Sequence, residues 1–172
     1  MFALNSLLSP PPPFSGDPVQ MAAYLDQRLY DYGQALGQFV AGIYGIIDLS
    51  AGVFRYVGAG LRDGLILSCN GNVKSIKMSG LPFGLEEEVH RVQREVQLGQ
   101  GDTLVLYSDA LVECANSINA PSNVSDLCNW VAPLLSEAPI YGFAPWLADR
   151  FLAEFGDGVR DDLLIVSIRI ER

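Results

Sequence analysis

Gly101-Asp102-Thr103-Leu104-Val105-Leu106-Tyr107-Ser108-Asp109-Ala110 is the stretch on which the reading of this chain turns. Gly101-Asp102 punctuates the backbone as a turn. Thr103 to Tyr107 is a short apolar run of strand formers, as expected of a strand covered on both faces. Asp109 follows at the strand's C-terminal end, and Leu111-Val112-Glu113-Cys114-Ala115 opens a short helix. Two readings of Asp109 stand side by side. A carboxylate held at the rim by a rigid strand suits a metal ligand. Asp is equally a favoured N-cap for the helix that follows.

Working outward, the second acidic position of this kind is Asp161-Asp162, just before the apolar run Leu163 to Ile170, which reads as a closing strand buried at first and half-exposed later. If the two strands are antiparallel neighbours, Asp109 and Asp161-Asp162 meet at one end of a sheet. Hard oxygen ligands without His or Cys select Mg²⁺ or Mn²⁺. Two such ions, about 4 Å apart, could activate a water for attack on phosphorus. Acidic residues at strand ends are also ordinary turn formers, so the residues by themselves leave both readings open.

The rest of the chain supplies the frame. Met1 to Leu8 has helical spacing, and Ser9 with Pro10 to Pro13 stops it. Residues 9–16 read as a stiff proline-rich connector. Asp17 caps the next helix, with Pro18 as its first residue and Gln20 three positions past the cap. Met21, Tyr24, Leu25 and Leu29 form its apolar stripe, and Gly33 and Gly37 frame its end. Strands are expected over Phe39–Asp48, Val53–Val57, Leu65–Ser68 and Val73–Lys77, with turns at Ser50-Ala51-Gly52 and Asn70-Gly71-Asn72. Val89 to Leu98 alternates loosely and reads as a strand with Val92, Val96 and Leu98 on one face; His90 and Arg94 have the same parity, so that face is not wholly buried or a bulge intervenes. His90, the single histidine, reads as a partly exposed strand residue, not a ligand or base. Two amphipathic helices follow. Val124–Leu135 turns Leu127, Trp130, Val131 and Leu134 inward, with Ser122 or Asn123 as its cap. Pro145–Phe155 turns Trp146, Leu147, Phe151 and Leu152 inward. Strands clustered before helices predict an α+β layout of mostly antiparallel sheets, in one domain over residues 1–172.

The 172 residues, 49% of them hydrophobic and 18% charged, suit one globular domain. A net charge of −9 argues against nucleic acid and against anionic membrane surfaces. Cys69, Cys114 and Cys128 are odd in number and lack CxxC spacing, which suits a reducing compartment. No basic n-region marks a signal peptide, and no apolar run approaches a membrane span. The expectation is a soluble, cytoplasmic protein.

Gly101 to Glu113 resembles the "GDxLxLYSDGLxE" segment of bacterial SpoIIE/RsbU-type phosphatases, a branch of the PP2C-like metal-dependent protein phosphatases. Four other places agree in order and spacing. Tyr44-Gly45-Ile46-Ile47-Asp48 with Gly52 and Tyr56 resembles the family's hairpin. Ala59-Gly60 falls on its "NAGH", Leu81-Pro82-Phe83-Gly84-Leu85 on its "PPLGL", and Asp161-Asp162 on its terminal "DD(L/M)T". The resemblance covers about residues 1 to 170. It implies an α-β-β-α sandwich with a dinuclear Mn²⁺ or Mg²⁺ site. It also implies hydrolysis of phosphoserine or phosphothreonine on a regulator protein by a metal-bound water. Typical targets of such relatives are phosphorylated anti-sigma-factor antagonists. Asp109 and Asp161 fall on metal-ligand positions, and Asp162 on an accessory acid.

The departures from the family pattern carry equal weight. The family's "GDVSGHG"-like motif, with its bridging Asp, is expected to precede Met1-Phe2-Ala3-Leu4-Asn5, so the sandwich is expected to be N-terminally truncated. Without that Asp, the resemblance implies at most one weakly held, hydrated ion and little unaided catalysis. Ala110 replaces a family Gly, Leu61 a His, Gly58 an Asn and Leu164 a Thr. The alternative reading is a degenerate phosphatase-like domain that grips a regulator without hydrolysing anything, as some response-regulator adaptors do. Exposed apolar sheet edges are expected, and with them a homodimer or another partner.

Overall fold

A computed structural model of the chain describes residues 12–33, 37–114 and 119–171. In chain order its elements are α1 (Pro18–Gly33), β1 (Gly42–Asp48), β2 (Val53–Ala59), β3 (Gly64–Leu67), β4 (Val73–Ile76), β5 (Arg94–Gln97), β6 (Thr103–Tyr107), α2 (Val124–Leu134), α3 (Phe143–Phe155) and β7 (Ile165–Arg169). Every strand pairing is antiparallel, so the expected α+β layout holds. The chain divides into two compact units, one of Met1–Leu61 with Met78–Gln97 and the other of Arg62–Lys77 with Leu98–Arg172. The helix expected over Met1–Leu8 and most of the proline run lie outside the described residues. The described end of that run is not extended. The Ser15 N–H donates to the Pro12 carbonyl and the Asp17 N–H to that of Phe14, closing tight turns that lead into α1.

In the first unit α1 begins as its sequence predicts. The Asp17 carboxylate accepts the N–H groups of Val19 (2.9 Å) and Gln20 (3.1 Å), and the Gln20 amide donates back to it at 2.8 Å. Pro18 has no N–H to satisfy, and these bonds satisfy the two donors that follow it. Met21, Ala22, Leu25 and Leu29 recur at helical spacing and bury against Val57, Ala59 and Phe83. The sheet runs β1-β2-β5. Its first hairpin is tied by Asp48, whose carboxylate accepts the N–H groups of Ser50 and Ala51, and by Gly52 at φ +67°.

The strand expected over Val89–Leu98 shrinks to β5. Val92 is 56% exposed, not on a buried face, and His90 is exposed outside any strand. The reason is Arg91, which leaves the alternation to enter a buried ion pair with Asp26 of α1. Its guanidinium also donates to the carbonyls of Leu81 and Pro82. The Asp26 carboxylate takes the Gly84 N–H at 3.2 Å. The Phe83 ring lies 4.8 Å under the guanidinium carbon. One ion pair therefore shapes the whole Leu81–Leu85 loop.

In the second unit the sheet order is β4-β3-β6-β7. Leu65, Leu67, Val105 and Tyr107 alternate onto one face, where Leu127 and Val131 of α2 and Leu147 and Phe151 of α3 cover them. Asn123 caps α2, its side chain accepting the Asp126 N–H. In α3 the inward stripe is Phe143, Leu147, Phe151 and Phe155, each four residues on from the last. Leu152, expected inside, is exposed, and Trp146 is half-buried. The buried stripe follows the i, i+4 row from Phe143, which leaves Leu152 on the solvent side. The last strand is also shorter than expected and is not buried at its start. Leu164, Val166 and Ile168 all face outward exposed. β7 is an edge strand, and the helices cover its other face, where Ile165 packs.

Candidate metal and phosphate site

The Gly101-Asp102 turn is a built feature. Gly101 has φ +82°, which a residue with a side chain rarely adopts. The buried Asp102 carboxylate accepts the Gly99 N–H at 2.8 Å and the Cys69 N–H at 3.1 Å. It welds the turn before β6 to the turn after β3. Leu104 and Val105 are fully buried, so β6 is a rigid platform for whatever its far end carries.

At that far end Tyr107 pairs with Ile165, the last step of the β6–β7 ladder. The two strands are antiparallel neighbours, so the end of β6 adjoins the start of β7. Ser108 joins them further. Its N–H donates to the Leu164 carbonyl at 2.9 Å, its Oγ donates to the Asp162 carbonyl at 2.8 Å, and Oγ accepts the Leu164 N–H at 3.0 Å. Asp109, Asp161 and Asp162 are therefore brought to one end of the sheet. Ser108 was not singled out in the sequence. Its signal is its position, one residue before the acid in the Gly101–Glu113 motif.

Asp109 is not a cap. It opens a 3-10 turn, Asp109–Leu111, whose N-cap is Ser108. Its carbonyl accepts the N–H groups of Val112 (2.8 Å) and Glu113 (2.9 Å). Its half-buried carboxylate has no hydrogen-bond or ion-pair partner among the described residues. Asp161 and Asp162 are exposed, and the Asp161 carboxylate accepts the Asp162 N–H at 2.7 Å. Beside them Glu113 pairs with Arg62 across half-exposed surface. Such a pair contributes about 0–1 kcal/mol. Burial pushes the Tyr107 phenol well above its ordinary value, and its hydroxyl has no partner among the described residues.

Among the described residues no three His, Cys, Asp or Glu side chains gather where they could hold a metal ion. The acids share a sheet end without closing a ligand set. They do not fit a dinuclear centre, whose four positive charges would face two or three carboxylates, two of them on exposed residues.

The structure accounts for three of the departures from the family pattern. Leu164 serves Ser108 through its backbone, so the side chain there is free to vary. Ala110 has no positive φ, so its backbone does not demand glycine. Gly58 lies in the first unit, and a Cβ there would fall 2.2 Å from the Met78 carbonyl oxygen. An Asn at that place cannot enter without moving the backbone.

The sequence profile of the Stage II sporulation protein E (SpoIIE) family matches residues 3–171. No curated protein matches the chain. Solved structures do. The RsbU and RsbW domains of a Mycobacterium tuberculosis protein superpose with a TM-score of 0.71 at 20% identity, over 87% of this chain and 42% of that one. The SiaA PP2C domain of Pseudomonas aeruginosa gives 0.71 at 20%, over 98% and 66%. The SpoIIE phosphatase domain of Bacillus subtilis, presoaked with Mn, gives 0.58 at 20%, over 84% and 65%. The chain thus spans less than two thirds of the length of these structures. The fold is that of PP2C-like phosphatase domains, a class that generally uses Mn²⁺ or Mg²⁺. Among the described residues no helix is long and apolar enough to cross a membrane.

Proposed function

We propose, from the premise that this chain belongs to the SpoIIE family of PP2C-like phosphatase domains, that it serves a bacterial signalling pathway by engaging a regulator protein phosphorylated on serine or threonine. An anti-sigma-factor antagonist is the kind of target envisaged. In this reading Asp109 and Asp161 are the chain's contribution to metal binding and Asp162 an accessory acid. The residues present hold one hydrated Mn²⁺ or Mg²⁺ weakly, and the chain by itself does not turn over substrate. The observation that supports this is the Ser108 clasp, which ties the start of β7 to the end of β6 next to Asp109, while among the described residues no group of three possible ligands forms.

Calorimetric titration with Mn²⁺, with Asp109→Asn as control, tests it. The expected result is one weak ion whose binding falls in the variant, with no phosphate release from a phosphoserine protein substrate. Two tight ions, or turnover with Mn²⁺ alone, would overturn the claim that the site is incomplete. No ion at all would remove Asp109 and Asp161 from metal binding. The reading as a non-hydrolytic adaptor would then replace this one. The open ligand set is the observation that favours that second reading.

A further inference from the structure

A cavity of about 400 Å³ lies at the opposite end of β6 and β7 from Asp109. That volume falls within the range of about 300–1,000 Å³ typical of small-molecule sites. Thr103 at the start of β6 and Ser167 and Arg169 near the end of β7 line it. The five residues of β6 separate it from Asp109 by about 17 Å at strand rise. It is thus a second place in the second unit, independent of the acidic end.

Its floor is preformed. Asp102 ties the Cys69 and Gly99 turns together. The Gly101 N–H donates to the Ile170 carbonyl at 2.8 Å, and the Ile170 N–H to the Asp102 carbonyl at 2.9 Å. The guanidinium of Arg169 lies beside the bare backbone of Gly101. A Cβ on Gly101 would lie 3.7 Å from Arg169 Nη2 and 3.1 Å from the Cys69 Cβ. The guanidinium makes no hydrogen bond or ion pair among the described residues, in a chain where 20 acids outnumber 11 Lys and Arg. The facing wall is the loop before α3. Tyr141 and Ile140 stand 76% and 63% exposed there, with Leu135 and Phe143 behind them.

We infer that this cavity binds a compact organic monocarboxylate with an aromatic or branched apolar body. The guanidinium supplies a planar fork for the carboxylate, and the hydroxyl of Ser167 is a neighbouring donor. Tyr141 and Ile140 close over the apolar body, which removes their exposed surface from water. A single cation matches one negative charge, which favours a carboxylate over a phosphate dianion.

An amide chemical-shift titration of the full chain with phenylacetate tests the assignment. Phenethyl alcohol, which lacks the charge, and acetate, which lacks the ring, are the controls. Phenylacetate is expected to shift the amides of Gly101, Tyr141, Gly142 and Arg169, and each control to bind more weakly. Arg169→Gln is expected to weaken phenylacetate about tenfold. Tyr141→Ala should weaken it while leaving acetate unchanged. Shifts absent from those four amides, equal binding by Arg169→Gln, or acetate binding as well as phenylacetate would overturn the proposal. Should Arg169→Gln lose its dispersed spectrum, the comparison of the three probes on Tyr141→Ala and the unaltered chain decides it.

Discussion

Ser108 holds Asp162 by its main chain: the hydroxyl donates to the Asp162 carbonyl at 2.8 Å while accepting the Leu164 N–H at 3.0 Å. One side chain at the end of β6 thus completes the pairing of β7 just beyond the ladder. The clasp adds to the ladder, whose last pair is Tyr107 with Ile165, in holding together the strand ends that carry the acids.

Ser108→Ala removes both side-chain bonds and leaves the Ser108 N–H to the Leu164 carbonyl. A cost of about 1–2 kcal/mol is expected. The loss should be local. Hydrogen exchange at Leu164 should speed up while the amides of Leu104 and Val105 keep their protection. Uniform loss of protection along β6 would show that the clasp is part of the global core.

The Asp26–Arg91 pair is almost wholly buried and binds three backbone groups of the Leu81–Leu85 loop. Removing one partner leaves an uncompensated charge in the interior. Arg91→Met or Asp26→Asn should each cost about 3–5 kcal/mol. The double variant should cost clearly less than the two together. Denaturant melts of the four proteins give the coupling directly. Strict additivity would mean that the two groups act separately.

Gly58→Ala adds a side chain at the position that falls on the Asn of the "NAGH" pattern. The Met78 carbonyl occupies that space, so backbone must shift, at about 1–3 kcal/mol. Leu164→Thr, which restores a family residue, should be neutral, because only the backbone of Leu164 is used. Thermal melts of both variants separate the two cases. A neutral Gly58→Ala would mean that the Met78 segment yields easily.

Asp17 gives a pH dependence whose sign can be worked out. The Gln20 N–H, and then the Gln20 side chain, hold its carboxyl below the ordinary value of 3.8. A group depressed in the folded state contributes stability that is complete above its unfolded pKa. That contribution is lost as pH falls through the folded value. The stability difference between the unaltered protein and Asp17→Asn should therefore be constant near neutrality and shrink on acidification below 3.8. Urea midpoints of the pair across that range measure it. A difference that grows on acidification would contradict the assignment.

What the sequence by itself determined was everything set by local chemistry and period. The Asp17 cap, the stripe of α1, the Asn70-Gly71-Asn72 turn, the burial of β6 and the family motif around it are each written in a few neighbouring residues. Their causes, capping bonds and side-chain alternation, act within one or two turns of chain. Tertiary structure decided the rest. Arg91 broke the strand expected over Val89–Leu98 because its partner, Asp26, lies 65 positions earlier. The open face of Leu164, Val166 and Ile168 follows from the edge position of β7, which depends on sheet order. Ser108 acquired its role because β7 returns beside β6 after 54 residues. The same return brings Asp109 and Asp161 to one end of the sheet, where no group of three possible metal ligands forms among the described residues. An ion pair, a sheet edge and a metal shell all depend on which distant groups arrive at one point, and no local pattern encodes that arrival.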